Sequence, residues 1–224
     1  MSAVQTQIQT ARAGYAGLMA RPQTEAADLM WQMGVRMAFA KDEEIYGQDE
    51  DADLIYRVIS GAVRTSRLLS DGRRQIGDFY DADDLFGIEA GPTHRYAAEA
   101  VGDCVILVLK ASALRAAAGE EAFQNLLWAA TNRELERTQE HLLLLGRKTA
   151  CERVASFLMG LADRRPAGTV NLPMGRQDMA DYLGLTIETV SRMLTQLQGA
   201  LVVEFTGARE FRIANRCALA RMAT

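Results

Sequence analysis

MGRQDMADYLGLTIETVSRMLTQLQGALVVEFTGAR, residues 174–209, is the stretch that decides the fold of this chain. Its first residues place small and apolar side chains at helical spacing and stop at Gly184, a residue suited to the left-handed end of a helix. Thr186 then stands where a helix N-cap belongs, and apolar residues recur at i, i+4 and i+7 between Val190 and Leu197. The stretch therefore predicts two short helices joined by a glycine turn.

The second predicted helix carries polar side chains on the face opposite its apolar residues: Glu188, Ser191, Arg192 and Thr195. On such a face Glu188 can accept a hydrogen bond from a cytosine amino group, and Arg192 can form a bidentate pair with a guanine in the major groove. The alternative is a solvated i, i+4 ion pair between the two, which contributes only about 0.2–0.5 kcal/mol. Taken alone the pair favours this alternative, so the neighbouring elements must decide.

A hairpin is predicted directly after the two helices. Apolar residues between Leu201 and Phe205, and again at Phe211 and Ile213, flank a turn that contains Gly207. Helix, turn, helix and hairpin together predict a winged helix-turn-helix, in which the second helix enters the major groove of DNA.

The segment LGLTIETVSRML, residues 183–194, is similar to the recognition segment of the FNR/CRP superfamily of bacterial regulators, and especially to its FNR and FixK branch. In that branch a glutamate, a serine and an arginine at this spacing read the bases, and they carry over onto Glu188, Ser191 and Arg192. The CRP branch has a further arginine directly before the glutamate, where this chain has Ile187. The resemblance therefore implies a half-site of the TTGAT kind.

Composition and charge fit a two-domain regulator. The chain has 224 residues, of which 49% are hydrophobic, enough for two small domains. Its net charge is −4, but residues 147–224 hold 11 basic and 7 acidic side chains, whereas residues 1–146 hold 14 and 22. The basic excess thus lies where the helix-turn-helix is predicted, as contact with phosphates requires.

Other classes of protein find little support in the sequence. The apolar run Leu142–Leu145 is far shorter than the roughly 20 residues of a membrane span, and we expect a cytoplasmic protein. Cys104, Cys151 and Cys217 lack metal-ligand spacing and are interpreted as structural thiols. Because the chain shows no nucleophile motif, Walker-type loop or metal-ligand spacing, we predict that it is not an enzyme.

The front of the chain divides into two regions. Residues 1–30, rich in Ala, Gln and Thr, are interpreted as a loosely ordered arm with some helix. Further on, short alternating runs broken by turn residues predict a β-barrel or β-roll, with a hairpin turn at Ser70–Gly72. The predicted strands are residues 54–60, 63–69, 75–80 and 104–109.

The segments VISGAVRTSRLLSDGRRQIGDFY, residues 58–80, and DLFGIEAG, residues 84–91, resemble the effector β-roll of the same superfamily, so the resemblance covers nearly the whole chain from about residue 35. Members that bind cyclic nucleotides hold the ribose with a Gly-Glu pair and the phosphate with an arginine followed by a small polar residue. Here Glu89 is displaced by one position, and Tyr96 follows Arg95. A one-residue slip in a strand would turn Glu89 to the other face. We therefore expect no cyclic nucleotide and interpret Arg95 as a surface or structural cation.

The resemblance also bears on other cofactors. FNR carries an iron-sulfur cluster on four cysteines, three of them N-terminal, whereas this chain has three cysteines and none before Cys104, so one subunit cannot build such a cluster. Gly175 stands where some FixK proteins have a redox-sensitive cysteine. A haem would need axial ligands such as His94 or His141, which we interpret as ordinary, partly exposed side chains. No cofactor is predicted.

Between the roll and the helix-turn-helix, Glu121 to about Gly146 is predicted to form one helix, roughly 39 Å long at 1.5 Å per residue. Its spacings of three and four indicate a coiled-coil seam without charged residues; the alternative is a helix that faces the core of a monomer. With the family resemblance, we expect a homodimer that forms without ligand. The seam consists of Trp128, Thr131, Leu135, Thr138, Leu142 and Leu145.

A two-fold dimer presents two recognition helices to successive major grooves, so the expected DNA site is a palindrome with half-sites about one helical turn apart. Basic and hydroxyl side chains near the predicted helices are candidates for contact with the DNA backbone, although each can equally be solvated surface. They are Arg147, Lys148, Arg153, Arg176 and Arg209, together with Thr186, Thr189 and Thr195.

The sequence thus predicts an α+β chain with four parts: an N-terminal arm (1–30), an effector-type β-roll of the cyclic-nucleotide-binding, jelly-roll kind (31–118), a dimerisation helix (119–147) and a winged helix-turn-helix (148–224). The resemblance implies a FixK-like regulator, most readily an activator, that binds double-stranded DNA, recruits RNA polymerase and controls genes of low-oxygen metabolism. The alternative is a ligand-gated sensor whose roll binds a nucleotide or haem.

Overall fold

A computed structural model describes residues 25–164, 168–207 and 209–223. The strands of its N-terminal half are β1 (Val35–Phe39), β2 (Glu44–Tyr46), β3 (Leu54–Ser60), β4 (Val63–Leu68), β5 (Arg74–Tyr80), β6 (Leu85–Phe86), β7 (Ala97–Ala100) and β8 (Cys104–Lys110). They form two four-stranded antiparallel sheets, with strand orders β1-β8-β3-β6 and β2-β7-β4-β5. The predicted roll is therefore confirmed.

The alternation seen in the sequence places one side of each strand inside the roll. Tyr56 and Val58 of β3 pair with Val108 and Ile106 of β8, and all four side chains are buried in one core between the sheets. The β4–β5 hairpin turns at Gly72, whose φ of 83° suits a residue without a Cβ. The roll therefore has its own hydrophobic core.

Two helices pack beside the roll, α1 (Glu25–Met33) and α2 (Ala111–Ala118). Ala26 and Met30 are fully buried in a cluster with Leu114 of α2. Residues 25–30 thus belong to a packed helix, although the sequence placed them in a loosely ordered arm. The apolar pattern of these residues is too short to predict a buried helix from the sequence alone, because the surface on which the helix packs is formed by distant parts of the chain. The rest of that arm, residues 1–24, lies outside the described residues.

The long helix α3 (Glu120–Arg147) has 28 residues and connects the roll to the C-terminal part. Its first turns bury Phe123 and Leu126 beside α1 and α2. Farther along, the Tyr80 hydroxyl of β5 donates to both carboxylate oxygens of Glu134, at 3.1 and 3.2 Å. The roll therefore contacts α3 along one side and leaves another side open.

The C-terminal part is a winged helix-turn-helix, as predicted. Its elements are α4 (Ala150–Arg164), β9 (Val170–Asn171), α5 (Arg176–Leu183), α6 (Ile187–Gly199), β10 (Val203–Phe205), β11 (Glu210–Ile213) and α7 (Arg216–Met222). The three-stranded sheet has the order β10-β11-β9, and the β10–β11 hairpin forms the wing.

The turn between α5 and α6 follows local rules. Gly184 ends α5 in the left-handed conformation, with φ 60° and ψ 41°, and its N–H donates to the Ala180 carbonyl. Thr186 caps α6, because its hydroxyl oxygen accepts a hydrogen bond from the Thr189 N–H. Val190 then points into the core, where it is fully buried. The two helices are thus fixed relative to each other by glycine, cap and core.

The roll and the winged domain share a continuous hydrophobic cluster. Ile76 and Phe79 of β5 belong to the same buried cluster as the core of the winged domain. The Phe79 ring lies 5.4 Å from that of Tyr182 in α5, and Tyr182 lies 5.6 Å from Phe157 of α4, measured between centroids. In the part of the chain that the structure describes, no helix is long and apolar enough to cross a membrane.

Candidate functional site

The predicted reading residues lie together near the N-terminal end of α6. Glu188 and Arg192 are exposed and Ser191 is half-buried, because the opposite face of the helix packs into the core. Within the described residues 168–207, Glu188 and Arg192 form no ion pair with each other. The solvated i, i+4 pair considered from the sequence is therefore not formed, and both side chains stay available to a partner.

The charge of Glu188 is stabilised locally. Its pKa lies below the ordinary value, because its own backbone N–H and the Thr186 hydroxyl donate hydrogen bonds to the carboxylate. An ionised carboxylate accepts hydrogen bonds and donates none. At neutral pH this position can therefore pair with an amino group but not with a carbonyl.

The residues predicted to contact the DNA backbone differ in how free they are. Arg176 is exposed at the start of α5, and one of its Nη atoms donates to the Ser191 hydroxyl at 3.3 Å. Arg209, exposed beside the wing turn, donates to the Pro173 carbonyl at 3.2 Å. The Thr195 hydroxyl donates to the Ser191 carbonyl at 2.9 Å, and Thr186 and Thr189 are engaged in the cap of α6. Four of these positions thus lie on α6, in its cap or against Ser191, whereas Arg209 contacts the segment before α5.

Two further cations interpreted as possible phosphate contacts have internal roles. Arg153 donates to the carbonyls of Leu145 and Lys148 at the end of α3 and of Leu183 at the end of α5, at 2.8 to 2.9 Å. The Lys148 ammonium donates to Ser156 and to the Ala223 carbonyl. Both side chains satisfy backbone carbonyls left unpaired at helix ends, so they do not serve as free phosphate ligands. Arg147 remains exposed.

The predicted seam of α3 is largely uncovered in the single chain. Trp128, Leu135 and Leu142 expose 70%, 53% and 69% of their surface, and Thr131 and Thr138 are exposed as well. Leu145, the last seam position, is half-buried beside the winged domain. A stripe of exposed apolar residues of this size marks an interaction surface.

A cavity of about 830 Å³ lies between the seam side of α3 and the roll. Its lining includes the six seam residues of α3 and, from the roll, Tyr46, Tyr80 and Phe86. The same face of α3 therefore borders both the cavity and the expected dimer contact.

At the positions of the roll that would hold the phosphate and the ribose of a cyclic nucleotide, Arg95 and Glu89 contact each other. Arg95 Nε donates to Glu89 at 2.9 Å, and the Arg95 backbone N–H donates to the same carboxylate at 3.1 Å. The two groups that would have to hold a ligand are thus paired with each other. Glu89 follows β6 in a loop, so the strand-slip reason given from the sequence is wrong, although the expectation of no nucleotide stays. Arg95, 74% exposed, is the surface cation that was predicted.

The prediction of partly exposed histidines is wrong for His94 but matches His141. His94 is fully buried, its ring stacks 3.7 Å from that of Tyr46, and neither ring nitrogen has a hydrogen-bond partner in the described chain. The position next to Arg95 gave no sign of this burial. His141 is half-buried, stacks on Tyr182 at 4.0 Å, and donates from Nε2 to the Tyr182 carbonyl at 2.7 Å.

The thiols show no shared site. Cys104 is buried in the roll, and desolvation raises its pKa to about 11. Cys151 is half-buried, and burial raises its pKa too. A raised thiol pKa disfavours the reactive thiolate, which supports the structural interpretation at these two positions. Cys217 is exposed at the start of α7.

Sequence reasoning missed a group of charges between the roll and α5. We call it the interdomain charge cluster; it consists of Asp42, Arg64, Arg74, Glu99, Asp178 and Asp181. Arg64 and Asp178, which lie 114 positions apart in sequence, expose only 6% and 7% of their surface. Only the spacing of Asp178 and Asp181 on one face of α5 was visible beforehand, and it does not name a partner.

Comparison with known proteins yields matches for both halves. Residues 152–222 match the Crp-like helix-turn-helix domain, and residues 36–121 match the cyclic nucleotide-binding domain. The nitrogen fixation regulation protein FixK of Azorhizobium caulinodans is 45% identical over 92% of this chain and 86% of its own length. FixK of Rhizobium meliloti is 40% identical, with 89% and 94% covered. The structure of FixK2 from Bradyrhizobium japonicum superposes with a TM-score of 0.82 at 49% identity, covering 86% of this chain and 98% of that one.

Proposed function

This chain belongs to the FixK-like branch of the FNR/CRP family of DNA-binding transcription activators, and we propose that it reads a TTGAT/ATCAA palindrome as a homodimer, without cyclic nucleotide or iron-sulfur cluster. The family consists of transcription regulators and not of enzymes. The proposal concerns what this member reads, how it assembles and whether it needs a ligand.

The observation that carries the proposal is the exposed pair of charges on α6. Glu188 and Arg192 lie one turn apart on a helix whose other face is buried, and no ion pair joins them in the described chain. Glu188 would accept from the amino group of cytosine, and Arg192 would donate to O6 and N7 of guanine. Ser191 lies between them in sequence. The absence of an arginine at Ile187 favours the TTGAT half-site over one of the CRP type.

The exposed seam of α3 supports the homodimer. An unpaired stripe of Trp128, Leu135 and Leu142 is costly in water, and pairing with the same stripe of a second copy would remove it. A two-fold axis along α3 would then present two α6 helices to the same side. Their separation would match half-sites about 34–36 Å apart, one turn of DNA. The partner helix would also contact seam residues that line the roll cavity.

Independence from an effector follows from two features. The paired Glu89 and Arg95 leave no obvious holder for a nucleotide in the roll. The roll and the winged domain are already joined by a continuous core. On this basis the amount of protein, and not a ligand, would control its activity.

The cellular role is proposed from the relatives. Proteins similar to this chain are named nitrogen fixation regulation proteins and transcriptional activators. We therefore propose that this chain works in the bacterial cytoplasm, recruits RNA polymerase and serves genes of low-oxygen metabolism. The target genes follow from analogy alone.

The test is DNA binding by the purified full chain, in air and without added ligand, at a stated salt concentration. Fluorescently labelled palindrome and scrambled duplexes of equal length are titrated, and the mass of the free protein is measured by sedimentation. Selective binding of the palindrome by a dimer supports the proposal. Binding of both duplexes alike, or a monomer at micromolar concentration, contradicts it.

A folded dimer that ignores the palindrome would favour the alternative function, a ligand-gated sensor. The roll cavity of about 830 Å³ is large enough for a small effector, which makes this outcome concrete. A visible haem spectrum, or a thermal shift on addition of cyclic nucleotides, would then identify the class of ligand.

A further inference from the structure

We propose that Arg64 and Arg74 are positioning residues for DNA reading. Through Asp178 and Asp181 they fix α5, and with it α6, at one orientation to the dimer axis. The separation of half-sites that the dimer accepts would thereby be built into the chain. This inference rests on the proposed function and adds the residues that set its geometry.

The centre of the interdomain charge cluster is the carboxylate of Asp178. Its Oδ1 accepts from Arg74 Nη2 at 2.6 Å, and its Oδ2 accepts from Arg64 Nη1 at 3.1 Å. Each oxygen thus contacts a side chain from a different strand, since Arg64 belongs to β4 and Arg74 belongs to β5. A carboxylate clamped by two guanidinium groups is fixed in direction as well as in position.

Arg64 is itself held inside the roll. It donates to Glu99 on β7 at 2.8 Å and pairs with Asp42 in the β1–β2 connection at 3.0 Å. Burial alone would lower the pKa of Arg64, but its bonds to Glu99, Asp178 and Asp42 raise that pKa above the ordinary value. The cation is therefore permanent, and three segments of the chain hold it in place.

A second contact prevents α5 from rotating about the first. Arg74 also donates to Asp181 at 2.9 Å. Asp178 and Asp181 are three residues apart and lie on the same face of α5. Two anchored positions along one face fix both the place of the helix and its rotation about its own axis.

The contacts that fix α5 also fix the reading helix α6, and they link both to α3, the helix that carries the seam. Gly184 and the shared core fix α6 against α5. At the far end of α5, His141 of α3 binds the Tyr182 carbonyl, and Arg153 links the Leu183 and Leu145 carbonyls. The same short helix is thus attached to the roll at its middle and to the seam helix at its end.

The physical consequence concerns spacing more than affinity for one half-site. Domains in one chain move relative to each other unless the interface holds them. A palindrome whose half-sites have the fitting spacing is bound by both winged domains of a rigid dimer at once. A palindrome with another spacing is bound by only one of the two domains. If the winged domains could move relative to the dimer axis, they would have to be ordered on binding, and this ordering costs free energy. The affinity for the palindrome with the fitting spacing would then exceed the affinity for the other palindromes by less.

The experiment compares spacing preference in Arg74→Gln and Asp181→Asn with that of the wild-type full chain. Each protein is titrated with the palindrome, with palindromes lengthened or shortened by one and two base pairs, and with a single half-site. Arg73→Gln is the matched control, because Arg73 is adjacent in sequence but pairs with Asp71 on the exposed hairpin. Circular dichroism and sedimentation establish that every variant is a folded dimer.

We expect the preference for the fitting spacing to fall by about tenfold or more in both variants, the factor that corresponds to 1.4 kcal/mol. Affinity for the single half-site should stay within about twofold, because no base contact is removed. Hydrogen exchange of the amides of β5 and α5 should accelerate in the same variants. Arg73→Gln should change none of these quantities.

Unchanged spacing preference in folded Arg74→Gln and Asp181→Asn dimers would overturn the inference, as would equal loss on half-site and palindrome. A wild-type protein that selects no palindrome would instead refute the proposed function. In that case the exchange data still decide the inference: slow exchange at β5 and α5 in both variants contradicts it. The two failures are therefore distinguishable.

Discussion

At the scale of single residues, Arg192 is expected to carry most of the base discrimination. Arg192→Ala should weaken binding to the palindrome by about 1–3 kcal/mol and relax the preference at the G·C pair, because a bidentate contact is lost. Anisotropy titrations with each base pair of the half-site substituted in turn measure this. Gln196→Ala, exposed near the other end of α6, serves as the control. Equal weakening on specific and random DNA would contradict the assignment.

His94 predicts a dependence of stability on pH. Burial lowers its pKa from the ordinary value near 6.5, so folding favours the neutral ring. As the pH falls below the unfolded pKa, the unfolded chain binds the proton first. The stability that is fully present above about pH 6.5 is therefore lost as the pH falls towards the folded pKa.

His94→Phe keeps a ring against Tyr46 and removes the titrating group. We expect its free energy of unfolding, measured in urea at pH 8 and pH 5.5, to fall less over this interval than that of the wild type. At pH 8 the variant should be at least as stable, because two buried nitrogens without partners in the described chain are removed. An identical fall in both proteins would show that His94 does not titrate.

Single residues also mark where prediction from sequence ends. The exposed face of α6 was predictable because a helical period separates exposed from buried positions, whereas the base-reading role of Glu188, Ser191 and Arg192 comes from the family resemblance and stays a prediction. A positive charge near a DNA-binding helix has the same sequence signature whether it binds DNA, solvent or a helix end, so the sequence offers Arg153 and Lys148 only as candidates for phosphate contact. Their actual partners are carbonyls that only the folded chain brings near.

At the scale of elements, local rules made the winged helix-turn-helix predictable. A left-handed Gly184, a capping Thr186 and a buried period all lie within one short stretch, and each is a near-neighbour effect. Four of the described roll strands, β3, β4, β5 and β8, were predictable for the same reason, to within a residue of their ends. The strands β1, β2, β6 and β7 were not predicted, because they are short or lack a clear alternation. Helix α1 was not, because Ala26 and Met30 reveal their role only against α2 and the roll.

The α3 seam is the element whose disruption has the clearest outcome. Leu135→Glu should give a monomer at micromolar concentration in sedimentation, because two carboxylates would face each other across an apolar contact. Binding to the palindrome should fall with it, whereas binding to a single half-site should persist.

Arg133→Glu changes charge on the same helix away from the seam and provides the control. Residue 133 is exposed, as Leu135 is. If Leu135→Glu remains a dimer while Arg133→Glu does not, the seam has been assigned to the wrong face of α3.

At the scale of the whole molecule, the shared core predicts one unfolding transition. Phe79 exposes only 5% of its surface and packs on Tyr182 across the boundary of the two domains. Phe79→Ala should lower the free energy of unfolding by about 3–5 kcal/mol and split the calorimetric transition in two, because the contact between the domains is lost.

Phe86→Ala is the matched variant, since Phe86 is equally buried but belongs to the core of the roll. It should lower the transition temperature and leave a single peak. Two peaks in the wild-type chain would mean that the shared cluster does not couple the domains.

The attachment of α5 to the roll also bears on how such proteins can diversify. A reading helix can acquire a new operator through changes at Glu188 or Arg192, which point away from the rest of the molecule. The winged domain as a unit is not interchangeable, because Ile76 and Phe79 of the roll pack into its core and Arg64 of the roll pairs with its Asp178. A chimera that exchanges winged domains between relatives should assemble only if the recipient roll offers matching residues at this contact. The reading residues can therefore change independently, whereas the residues on the two sides of the interdomain contact have to change together.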